Sequence, residues 1–141
     1  MDANQKTKFE VIMVYDAYVV TWFLFIFMVY KMAPTERIIS SLVLLGFVVG
    51  AVYAIVAGFM LRRKFLAQSP EALHGNPPEA RWRLGNIVSF SCAQCVTILG
   101  VALKMLGASW LVAGIFFAVG LGFLLLWRPR RGLWDSLRIP L

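Results

Sequence analysis

Four long apolar runs alternate with short breaks of charge, proline or glycine. The runs cover residues 9–32, 37–61, 84–106 and 110–127. The third is the informative one. Its stretch from Leu84 to Leu103 carries no formal charge, and at ~1.5 Å rise per residue it spans ~30 Å, the thickness of a bilayer's hydrocarbon. The pattern predicts an all-α integral membrane protein with four transmembrane helices in an up-down bundle and both termini cytoplasmic. Residues 1–141 then form a single membrane domain.

The breaks support these boundaries. Residues 1–8 are polar. Pro34 discourages continuation of the first helix, and Thr35 is expected to cap the second. The second run ends on Arg62, Arg63 and Lys64. Residues 62–82 contain Pro70, Gly75, Pro77 and Pro78, which predicts an extramembrane loop. Gly107, Ala108 and Ser109 suit a tight turn into the fourth helix. The tail, 128–141, is basic and amphipathic enough to lie on a membrane surface.

The third run is also the most polar, with Asn86, Ser89, Ser91, Gln94 and Thr97. Polar groups carried into lipid must face protein, water or a ligand, so this helix is expected to face the interior. Helical spacing brings Asn86, Gln94, Thr97 and Lys104 near one face. The expected role is interhelical hydrogen bonding, worth about 1 kcal/mol or less per bond. A substrate or ion path is the sharper alternative.

Composition narrows the class. Hydrophobic residues make up 60% of the chain and charged residues only 15%, and the mean hydropathy is +0.76. A soluble domain is nearer a quarter charged and could not bury this much apolar surface at this size. The formal charge of +7 therefore speaks first of topology, and no nucleic-acid partner is expected. Lys6, Lys8, Arg62, Arg63, Lys64, Arg81, Arg83, Arg128, Arg130, Arg131 and Arg138 fall on one side. Lys31, Arg37 and Lys104 fall on the other. The positive-inside rule puts the first group in the cytoplasm, with a bacterial inner membrane as the expected location. The first apolar run is too long for a signal-peptide core and lacks a convincing cleavage site, so it is read as a mature helix.

Association in lipid rests on close packing of small residues. Gly46, Gly50, Ala54 and Gly58 recur every four residues in the second span, and Gly114, Ala118 and Gly122 do so in the fourth. Each set is read as a helix-packing interface, within a hairpin or between subunits.

Candidate chemistry is sparse. Asp16 is the one acid well inside a span. An unpaired carboxylate there costs several kcal/mol, so it is expected to join Asn86, Gln94 and Thr97 in the interior and to be protonated or paired. Arg83, Arg128 and Arg62 belong to the same side. Cys92 and Cys95 form a Cys-x-x-Cys, the motif by which four-helix membrane oxidoreductases exchange electrons with a quinone. Those enzymes use a helix end and a second cysteine pair, whereas this pair lies mid-helix and has no companion. A packing role is expected instead. His74 is the only histidine, and no metal site or cofactor is predicted. Arg62, Arg63, Lys64, Arg128, Arg130 and Arg131 flank span ends, where they would attract anionic headgroups or dock an acidic partner.

The second and third spans together resemble the rotor hairpin of c-type ATP synthase subunits. The resemblance is carried by the glycine stripe Gly46 to Gly58, the loop residues Gln68 to Ala72 and Pro78 to Ala80, and the run Ala93 to Gly100. It implies a hairpin with a cytoplasmic loop. Gln94 stands where the family carries its proton-binding carboxylate, and glutamine cannot exchange a proton near neutral pH. The resemblance therefore implies a hairpin without proton translocation. It covers about 60 residues, and the first and fourth spans have no counterpart.

The expected function is a non-enzymatic membrane subunit that packs against itself or other membrane subunits. The alternatives are a small channel or carrier using Asp16 and Gln94, and a thiol–quinone protein using Cys92 and Cys95.

Overall fold

A computed structural model describes residues 3–32, 34–66 and 78–129. They form four α-helices: α1 (Ala3–Met32), α2 (Ser41–Leu66), α3 (Pro78–Met105) and α4 (Trp110–Leu126). Three of them contain stretches long and apolar enough to cross a membrane, Thr7–Met32, Ser41–Phe65 and Ala80–Met105. The fourth is a shorter apolar helix.

The second helix differs from expectation at both ends. Residues 34–40 are not helical. Its cap is Ser40, whose hydroxyl accepts from the Val43 N–H at 3.3 Å, rather than Thr35. At the other end it runs through Arg62, Arg63 and Lys64 to Leu66. Cations in a last turn complement the helix dipole, so they extend the helix instead of ending it. The loop expected over 62–82 is correspondingly shorter, because α3 already starts at Pro78, where proline's missing N–H costs nothing. Residues 67–77, with His74 and most of the expected loop, lie outside the described residues. So does the tail from Arg130 onward.

The α3–α4 turn is built as the sequence suggests. Gly107 adopts φ +98°, a left-handed conformation that favours glycine. The Ala108 N–H returns to the Leu103 carbonyl and the Gly107 N–H to the Lys104 carbonyl. These are the two bonds of a Schellman cap. Ser109 then caps α4 by accepting from the Val112 N–H.

The centre of the bundle is α3. It packs against each of the other three helices, and α1 also meets α4. Half of the apolar stretch of α3 is buried, against 11% for α1 and for α2. One core joins α1, α3 and α4 around Trp22, Phe90, Phe117 and Trp127. A second joins α2, α3 and α4 around Ala51, Val96, Leu103 and Phe116.

Candidate functional site

Among the described residues, the buried polar side chains lie along α3: Asn86, Ser89, Gln94, Thr97 and Lys104. They divide into three levels. At the first, the Arg62 guanidinium from α2 donates to Asn86 Oδ1 at 3.3 Å and to Ser89 Oγ at 3.4 Å. Asn86 and Ser89 are held in turn by the carbonyls of Trp82 and Gly85, one turn back in their own helix. Arg62 thus ties α2 to α3. This is a structural role that its place in a basic cluster did not reveal. Arg63 and Lys64 remain exposed.

The second level holds α1. Ser91 donates to the Ile87 carbonyl, so the Tyr18 hydroxyl is the donor in the 2.7 Å bond to Ser91 Oγ. Trp22 Nε1 donates to the Phe117 carbonyl of α4 at 3.1 Å. Tyr15 and Tyr18 both pack on the Phe90 ring. Gln94 and Thr97 belong to the same depth, yet neither amide atom of Gln94 nor Thr97 Oγ1 has a partner among the described residues.

At the third level Lys104 is 1% exposed. Its ammonium donates to the Ala108 carbonyl at 2.9 Å, lies 3.3 Å from Glu36 and sits over the Trp110 ring. Glu36 also accepts from the Trp110 backbone N–H at 3.0 Å. That bond, and next the one to Lys104, holds its carboxyl below the usual range. The Arg37 N–H donates to the Gly107 carbonyl. The segment after Pro34 is therefore strapped across the α3–α4 turn. Nothing local in the sequence joined Glu36 to Lys104; their pairing depends on how α1 and α3 are placed.

The small-residue sets fall in different surroundings. In α2, Gly58 meets the Trp127 ring and Cys92 Cβ, Gly50 meets Leu99, and Ala54 is half-buried against the second core. Gly46 faces open space. In α4, Gly114 and Gly122 have nothing within 4 Å of an added Cβ, and Ala118 is exposed. The close approach of α4 to α3 is made instead by Gly120, which lies on Thr97 Oγ1 and the Ala93 carbonyl. Gly100 makes a similar approach against Phe116 and Phe117. Within one copy, then, α4 packs through Gly120, and the regular row Gly114, Ala118 and Gly122 is turned outward.

Asp16 is a correction to the interior set. It is exposed on the outer face of α1, and Arg83, one of its expected partners, pairs with Glu10 at 3.1 Å. Cys92 is half-buried beside Gly58, and Cys95 is exposed; both thiols are free. Among the described residues no group of three or more His, Cys, Asp or Glu could hold a metal ion. A groove of about 210 Å³ between α2 and α4 is lined only by apolar side chains, among them Val48, Ile55, Val96 and Val119.

Comparison with protein-family models, curated proteins and solved structures finds no match to this chain.

Proposed function

We propose that this chain is a non-enzymatic, multi-pass membrane subunit that assembles with itself or with other membrane proteins. All four helices cross, α4 with its 17 residues covering ~25 Å. Both ends and the Arg62 side face the cytoplasm of a bacterial inner membrane, in keeping with the bias of basic residues.

One observation carries the reading. The polar side chains of α3 are mostly spent on its own neighbours, while the outer surface keeps features that lipid does not satisfy: Asp16 and the smooth row Gly114, Ala118 and Gly122. A polar path would need its acid and its amide on one route. In a single copy, Asp16 is outside and Gln94 is inside. The basic residues Arg63, Lys64 and Arg128 are exposed and suit anionic headgroups.

The test is gentle extraction from the native membrane, then native gel and mass spectrometry of what accompanies the chain. A defined complex, of this chain or with other membrane proteins, is expected. A chain that runs alone as a monomer sinks the reading and turns attention to solute flux.

A further inference from the structure

Three carboxylates have described side chains: Glu10, Asp16 and Glu36. Glu10 pairs with Arg83 and Glu36 with Lys104. Asp16 has no ion pair or hydrogen bond to any described residue. It is exposed on α1 among Ile12, Met13, Val20 and Phe23.

Its depth follows from its neighbours. Glu10 meets Arg83 and Tyr18 meets Ser91, so α1 and α3 run in step and Asp16 is level with Ser89. That is ~9 Å deeper than the Glu10–Arg83 pair, at 1.5 Å per residue. A carboxylate turned outward at this depth is stabilised by a counter-charge, and no described residue of its own copy supplies one.

The chain itself offers one. Arg128, just beyond the end of α4, is exposed. Trp22 meets Phe117 and Tyr30 meets Trp110, so α1 and α4 run antiparallel and Asp16 is level with Leu124. Arg128 stands one turn nearer the same end, within the reach of a long side chain. Surface shape agrees with charge. On the same reckoning, the open row Gly114, Ala118 and Gly122 is level with the part of α1 that bears Val20, Phe23 and Leu24.

We propose that two copies of this chain pack side by side in one orientation, α1 of each against α4 of the other, with Asp16 paired to Arg128 of the partner subunit. Because α1 and α4 are neighbours, their outer faces form one side of the bundle. A two-fold rotation brings that side onto itself and makes the pair twice. This rests on the subunit reading and names its partner.

The full chain is reconstituted in phosphatidylcholine vesicles over a range of protein-to-lipid ratios, and copies per complex are counted by single-molecule photobleaching. Wild type is expected to be dimeric. Asp16→Arg and Arg128→Asp each weaken the dimer by about tenfold or more, and the double reversal restores it. Thermal unfolding followed by circular dichroism checks that each variant folds. If a reversal does not fold, Asp16→Asn and Arg128→Gln replace it with the same expected loss. A monomeric wild type, single variants that dimerise like wild type, or a double reversal that fails to recover overturns the pair. If wild type is monomeric here yet leaves the native membrane with another protein, the self-pair falls and the subunit reading stands. If it is monomeric in both, both fall.

Discussion

The Lys104 ammonium lies 3.3 Å from Glu36 Oε1 while almost wholly buried, and its other bond runs to the Ala108 carbonyl. One cation thus holds the end of α3, the turn into α4 and the non-helical segment after Pro34. Truncation leaves the buried Ala108 carbonyl without its donor and Glu36 with the Trp110 N–H alone, so Lys104→Ala is expected to cost about 1–3 kcal/mol. Thermal unfolding in mild detergent measures it. A loss within error would show that the strap holds without its cation.

The same cluster gives a pH dependence. Glu36 titrates below the usual carboxylate range, chiefly through the Trp110 N–H and then Lys104. A depressed acid contributes stability that is present above its unfolded value and lost as pH falls through the folded one. Wild type is therefore expected to lose stability from mildly acidic pH downward, and Glu36→Gln to lose less over that window. Melting curves from pH 7 to 3 compare the two; parallel curves would remove Glu36 as the cause.

Position 120 of α4 has no room. A side chain there meets Thr97 Oγ1 and the Ala93 carbonyl, part of which is backbone that cannot swing aside. Gly120→Val is expected to destabilise by about 1–3 kcal/mol or more, whereas Gly114→Ala, with open space around it within one copy, leaves the unfolding of the detergent-solubilised monomer unchanged or slightly harder. Equal effects at both positions would mean that α4 packs through a different face.

Arg62 and Arg63 are adjacent in sequence and unlike in role. Arg62 donates to Asn86 and Ser89 across the α2–α3 contact, and Arg63 is exposed. Arg62→Ala should cost about 1–3 kcal/mol, and Arg63→Ala should stay within about 0.5 kcal/mol. A double-mutant cycle of Arg62→Ala with Asn86→Ala isolates the tie; additive losses would argue against it.

Gln94 is buried with both amide atoms unpaired among the described residues. Replacing an unpaired polar group with an apolar one of similar shape is neutral or stabilising. Gln94→Met is therefore expected to hold or raise the melting temperature. A clear drop would reveal a bound group that the amide serves.

Much of the architecture was legible in the chain. Four apolar runs, the break at Pro34 and the turn at Gly107 to Ser109 foretold four helices, because helix ends and apolar length are local properties. The polarity of Asn86, Gln94 and Thr97 foretold that α3 would be the interior helix, since buried polar groups must turn away from lipid. Helix boundaries near Arg62 were misplaced because charge ends an apolar run without ending a helix.

What the sequence alone determined is the helical class: four apolar helices, three of them long enough to cross a membrane, with one more-polar helix among them. Tertiary structure alone decided which side chains meet. Glu36 finds Lys104 across 68 residues and Tyr18 finds Ser91 across 73. Asp16 turns outward and Gly120, rather than Gly114, turns in. Each of these depends on the rotation of one helix against another. That rotation is set by the packing of Phe90, Phe116, Phe117 and Trp127, which no single helix carries in its own periodicity.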